Sequence, residues 1–173
     1  MVLCNLIEDV IYMVQKKFIR RILREKVMQI LYAYELNNEN LETTKNGILS
    51  NVDQPEDREF AEQLLRTVVF HQKEIDEEIK KRVSNWEIER IAMIDRILMR
   101  MGMCELAYLP DIPPKVSINE AIEIAKNFST ASSGKFINGI LDGFLNDLKK
   151  SGKLKKTGRG LIDETPVKPQ PPK

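Results

Sequence analysis

Apolar residues in this chain recur every three or four positions, and no stretch alternates with a period of two. That single regularity excludes a half-buried sheet and points to amphipathic helices throughout. Ile19, Leu23, Val27, Ile30, Leu31 and Tyr34 follow helical spacing from about Lys17 to Leu36. A second stripe runs through Phe60, Leu64, Val68, Ile75, Ile79, Val83 and Trp86, long enough for two helices or one bent one. A third, rich in methionine, covers residues 90–108. Between it and the next stripe lies "LPDIPPKV", where three prolines remove donors and force extended geometry. "SINE" at 117–120 has the form of a capping box, with Ser117 starting a helix and Glu120 reaching back to it. The last stripe comprises Phe136, Ile140, Leu141, Phe144 and Leu148, with Gly139 and Gly143 on one face for close helix approach. Asp53 is expected to cap the second helical stretch, with Pro55 and the acids Glu56, Asp57 and Glu59 in its first turn.

The 173 residues suit one domain or two small packed halves. At 42% hydrophobic and 31% charged, the chain can build a core and keep a polar surface. Residues 1–15 match no element and read as an N-terminal extension, with Met13 an alternative start; residues 16–149 form the helical domain. Residues 150–173 are basic, Gly/Pro-rich and poor in large apolar residues, which predicts a disordered tail; Lys149, Lys150, Lys153, Lys155 and Lys156 read first as solubilising and, as the lesser alternative, as a source of non-specific RNA attraction. No apolar run has the length of a membrane span and the first 13 residues lack the marks of a signal peptide. Two distant cysteines, Cys4 and Cys104, fit a reducing cytoplasm.

Charge is concentrated in one place. "KKFIRRILREKVMQILY", from Lys16 to Tyr32, sets six basic residues against one acid, although the chain carries only +1 overall. On a helix, Lys17, Arg20, Arg21 and Arg24 fall within roughly 100° of the circumference, with Met28 and Tyr32 continuing that stripe. An exposed strip of this kind attracts phosphates, arginine holds them bidentately, and an aligned tyrosine gives an unpaired base a surface to stack on. The competing reading is a solvated face paired with the acids of residues 53–62. Lys135 opens a helix after "SSG", so backbone amides and an ammonium face the same space. Phe136 next to it is open between core residue and stacking platform.

Catalytic patterns are missing. His71, the one histidine, lies on an apolar stripe and reads as a satisfied, partly buried side chain. No serine or cysteine has a partner base, no glycine loop cradles phosphate, and Met93, Met99, Met101 and Met103 read as core filler rather than metal ligands. No cofactor or metal is expected, and no enzymatic role.

Three stretches together carry a resemblance. "RRILREKVMQILYAYEL", "ERIAMIDRILMRMGMCELAYLPDIPPKVSINEAIEIAKNF" and "SGKFINGILD" resemble the NusB family of bacterial transcription antitermination factors over about residues 16–148. The resemblance implies an all-α bundle of two packed three-helix groups. It implies binding of boxA RNA jointly with NusE, a small-subunit ribosomal protein, in support of RNA polymerase elongation through ribosomal RNA operons. It places Arg20, Arg21 and Arg24 at the family's arginine positions, Lys135 and Phe136 at its RNA-facing "KF" pair, and Tyr32 and Asp95 at positions that look towards the protein partner. Ile22 departs from a frequent third arginine, and Ser132 stands where many members carry an acid. The alternatives are a helical scaffold or homodimer without RNA binding and, more remotely, a fragment of an RNA cytosine methyltransferase.

Overall fold

The computed structural model describes residues 2–37, 40–83 and 88–161, with the side chains of residues 2–14, Lys17, Asn37 and Glu89 outside that description. Trp86 and residues 162–173 also lie outside it. Six α-helices follow in order: α1 Val2–Asn37, α2 Leu41–Ile48, α3 Pro55–Arg82, α4 Met93–Tyr108, α5 Pro114–Phe128 and α6 Ser133–Lys150. Two single 3₁₀ turns, Ile88–Arg90 and Gly158–Leu161, complete the described chain, which contains no strand. Helices α1–α3 form one group and α4–α6 the other, joined chiefly where α3 and α1 pack on α4.

Helix α4 is the hub. Every residue from Ile97 to Leu106 is buried, so this helix is covered on all sides, as its run of methionines, leucines and isoleucines requires. Met99, Met101 and Met103 are core filler, as their spacing suggests. Close approach between α4 and α6 depends on Gly102: a Cβ there would stand 2.7 Å from a methyl of Leu141. The glycine pair expected to serve that purpose does not. Gly139 has open space where its side chain would be, and Gly143 meets only the Arg82 side chain, at 3.8 Å.

Four local expectations are corrected. Of the two readings left open for the second stripe, a single helix holds as far as Arg82, but its cap position is Gln54 rather than the expected Asp53, with Pro55 already in the first turn. Ser117 does not start α5: the helix begins at Pro114, the Ser117 amide bonds the Pro113 carbonyl, and its buried hydroxyl has no hydrogen-bond partner among the described residues. The proline that breaks the preceding segment is itself well suited to a first helical turn, so it displaces the capping box. Residues 2–15, which the sequence matched to no element, continue α1 as helix.

The fourth correction concerns the tail. After Gly152, at φ +66°, the chain turns back as an ordered strap to residue 161. Leu154 packs on the core, the Thr157 amide bonds the Pro110 carbonyl, and Lys156 Nζ donates to the carbonyls of Glu105 (2.8 Å) and Leu109 (2.9 Å) at the C-terminal end of α4. Burial pulls the pKa of Lys156 down to about 8, against the attraction of Glu105 and Asp111. Gly160 is buried so tightly that a Cβ would lie 1.9 Å from the Pro110 oxygen. Composition predicted disorder because the strap has few apolar groups; polar bonds to the end carbonyls of α4 hold it instead.

Candidate nucleic-acid interface

The arginine segment of α1 faces α3, α4 and α5, and its guanidinium groups are met by carboxylates from those helices. Arg24 is almost wholly buried and forms a bidentate pair with Glu105, Nε to Oε1 at 2.6 Å and Nη2 to Oε2 at 3.0 Å. Its Nη1 bonds the Arg20 carbonyl one turn back. Arg21 pairs in the same forked way with Glu120, at 2.8 and 2.9 Å, and has Glu123 at 3.9 Å. The bond to Glu120 raises the pKa of Arg21 despite desolvation. Arg20 lies over the Phe60 ring, 4.2 Å from its centroid, with Asp57 at 3.9 Å. Desolvation lowers its pKa, and Asp57 pulls the other way.

The bare four-cation ridge expected on α1 is therefore not present. Arg24 is an internal anchor with no surface to offer a phosphate. Arg21 and Arg20 keep only partial exposure, 31% and 27% of their side chains. The side chain of Lys17 is outside the described residues. The helix is also rotated relative to expectation: Met28, assigned to the basic stripe, is buried, while Ile19, assigned to the core, is exposed beside Phe18 and Ile22. Because α1 packs against both groups, its buried arc is wide enough to include positions 24 and 28. One signal in the sequence foretold this. Glu105 is the lone acid between Asp95 and Asp111, set within an apolar run, and a carboxylate buried there requires a cation.

Tyr32 stays on the surface at 37% exposure. Asp95 does not. It is buried at the start of α4, and its two oxygens accept from Ser129 Oγ (2.6 Å) and Ser133 Oγ (2.7 Å). Expected to look towards a protein partner, it instead ties the α5–α6 turn to α4. The sequence did not reveal this tie, because serines in a connecting loop read as ordinary turn residues.

That tie positions the second predicted element. Ser133 is the first residue of α6, so Lys135 and Phe136 are held in its first turn. Lys135 is exposed and pairs with no carboxylate among the described residues. Phe136 is 38% exposed, which removes it from the core and leaves part of its ring open to solvent. Phe128, at the end of α5, is exposed to a similar degree. An ammonium, the free amides of a helix N-terminus and a bare aromatic ring together suit one nucleotide: phosphate on the first two, base on the third.

A second charge cluster escaped sequence reading. Arg100 pairs with Asp76 at 2.6 and 2.8 Å and with Glu35, which also accepts from Arg96 at 2.9 Å. It joins α1, α3 and α4 and is structural. His71 is a partly buried side chain stacked on Tyr108, with ring centroids 3.7 Å apart, and its Nδ1 lies 3.1 Å from Glu74. Among the described residues no group of three or more histidine, cysteine, aspartate or glutamate side chains is placed to hold a metal ion, and no helix is long and apolar enough to cross a membrane.

Comparison with known proteins adds a separate line of evidence. The family model described as the NusB family matches residues 21–146. A transcription antitermination protein NusB from Chloroherpeton thalassium is 47% identical over 151 residues, spanning 83% of this chain and 69% of that protein. Its counterpart from Salinibacter ruber is 48% identical over 145 residues, spanning 83% and 91%. A solved structure of antitermination factors NusB and NusE in complex with double-stranded RNA superposes with a TM-score of 0.68 at 27% identity, covering 75% of this chain and 97% of that one.

Proposed function

Since this chain belongs to the NusB family, we propose that it acts as a transcription antitermination factor, binding boxA-type RNA together with NusE and so supporting elongation by RNA polymerase through ribosomal RNA operons. The observation that carries this reading is the near-half identity with two NusB proteins over most of the chain. The site supports it: Lys135 presents a cation that pairs with no carboxylate among the described residues, and Phe136 beside it leaves part of its ring open to solvent.

RNA meets the protein first at the start of α6. Lys135 takes a phosphate, Phe136 stacks an unpaired base, and base identity is read on single-stranded edges, which A-form duplex grooves hide. The outer edges of Arg20 and Arg21, with Lys17, add charge along the flank. Tyr32 serves either a base or the protein partner. Arg24 acts through the bundle, by holding α1 against α4.

The decisive measurement is a titration of the chain with boxA RNA, with and without NusE, at two salt concentrations, set beside a duplex of equal length. Binding that tightens with NusE and weakens steeply with salt is the expected result. Salt-indifferent self-association with no RNA binding would replace this reading with that of a helical scaffold.

A further inference from the structure

The charge that α1 fails to offer is present elsewhere, on a segment beyond the family match at 146. Residues 149–161 contain six cations and no acid. Lys156 points inward, but Lys149, Lys150, Lys153, Lys155 and Arg159 are all exposed, and none pairs with a carboxylate among the described residues. Counterion release requires cations that are not already neutralised within the protein. By that criterion the strap is better supplied than the arginine helix, where Glu105, Glu120 and Asp57 meet the guanidinium groups.

The strap is also in the right place. Glu105 receives Arg24 on its carboxylate and Lys156 on its carbonyl, so the strap is docked at the end of α4 against which the arginine segment packs. Arg159 comes close enough to Arg20 for its charge to help lower the Arg20 pKa. The cleft of about 260 Å³ between Arg20 and Pro110 carries Glu56, Glu59 and Asp111. Those acids bar a phosphate from its floor and leave the outer edge of the strap as the favourable path.

We infer that the last residues of α6 and the docked strap that follows them, Lys149–Arg159, form a sequence-independent phosphate-binding arm, which carries the RNA backbone past the arginine helix. The inference rests on the RNA-binding reading above and adds to it a contact surface that the family match does not include. The chemistry recognised is the phosphodiester alone, since lysines on an exposed strap read no base edges.

Anisotropy titrations of the full chain test it, using a boxA single strand and a scrambled strand of equal length across a salt series. Replacing Lys153, Lys155 and Arg159 together by alanine should weaken both strands equally, on the order of tenfold at low salt, and reduce the salt slope by about 2 (~0.7 per phosphate on single strands). Gly160→Ala keeps every charge but drives a methyl into the Pro110 carbonyl; it should also weaken both strands, because the strap cations lose their fixed place at the end of α4. Circular dichroism should report an unchanged helical fold for both variants. Unchanged affinity and slope in the triple variant, with boxA still preferred by the parent, would overturn the arm and leave the proposed function standing. A loss confined to boxA would overturn the phosphate assignment, and a Gly160→Ala variant with parental affinity would overturn the docked geometry. A parent chain that binds neither strand, with or without NusE, would end both readings.

Discussion

Two cationic regions of this protein look alike on paper and differ in the fold. The arginine segment of α1 holds its charge against carboxylates: Arg24 lies within Glu105, Arg21 within Glu120, and Arg20 on the Phe60 ring. Lys135 at the start of α6 is exposed and has no such partner among the described residues. The density of basic residues in a sequence therefore measures charge carried, and says nothing of charge left over. What decides availability is where the acids of other helices fall. Glu105 and Glu120 come more than eighty residues later than the arginines they neutralise. The comparison separates two tasks that a single basic helix had appeared to combine, with α1 holding the two groups of helices together and α6 offering a contact.

The harshest test of that division is Arg24→Ala. Removing one partner of a buried pair leaves Glu105 charged and unpaired, which costs about 3–5 kcal/mol. Urea unfolding should show a loss of that size, and the paired substitution Arg24→Met with Glu105→Met should recover most of it. An Arg24→Ala protein of parental stability whose RNA affinity alone had fallen would return Arg24 to the interface and dissolve the distinction.

Asp95→Ala comes next and probes whether the α6 contact depends on the buried tie beneath it. Two hydrogen bonds to a carboxylate are lost, each worth about 1.5–3 kcal/mol, but the cost of burying that carboxylate goes with them, so the net loss of stability should be smaller than their sum and than that of Arg24→Ala. Because Ser133 is then no longer held to α4, RNA affinity should fall too, although Asp95 touches no RNA. Asp95→Asn, which retains an acceptor, should restore part of both. RNA affinity that stays parental in Asp95→Ala would show that Lys135 and Phe136 need no such support.

Much of this architecture was legible before any coordinates. Helical periods located α1 from Lys17 onward, α3, α4, α5 and α6 but not the short, polar α2, the methionines of α4 read as core, and the Phe136–Leu148 stripe predicted the buried face of α6 apart from its first member. What escaped were features fixed by partners distant in sequence. The bidentate pairs of α1, the Asp95 tie and the Glu35–Arg100–Asp76 network all join residues at least 24 positions apart, where periodicity carries no information. The strap escaped for a different reason. Its affinity for the bundle comes from a few single residues, among them Lys156 on two helix-end carbonyls, Thr157 on the Pro110 carbonyl, Leu154 on the core and a glycine that fits where no side chain could, and composition averages such single-residue effects away. At the candidate site, the place of Lys135 at a helix start after a serine-rich turn was legible, and its pairing with Phe136 came from the family resemblance, but whether Phe136 faced the core or the solvent was beyond pattern. A first-turn residue at helical spacing from Ile140 sits on the edge of the buried arc.

That edge position sets the gentler predictions. Phe136→Ala removes a ring that is already more than a third exposed, so stability should change by no more than about 0.5–1 kcal/mol. Binding to boxA RNA should weaken by about 1–3 kcal/mol if a base stacks on it. The reverse pattern, a large stability loss with unaltered binding, would return Phe136 to the core.

Lys135→Ala is the smallest change and the most diagnostic for the comparison. An exposed lysine without a carboxylate partner contributes nothing to the fold that its removal would expose, so unfolding should be unaltered within about 0.5 kcal/mol. Its loss should lower the dependence of log K on log salt by about 0.7, the signature of one phosphate contact to a single strand. Arg21→Ala provides the matched control on α1. There the guanidinium is forked onto Glu120, so truncation should cost stability and move the salt slope less than Lys135→Ala does. Equal slopes for the two variants would mean that Arg21 leaves Glu120 for RNA, and the internal pairing of α1 would then be a resting arrangement that the nucleic acid can displace.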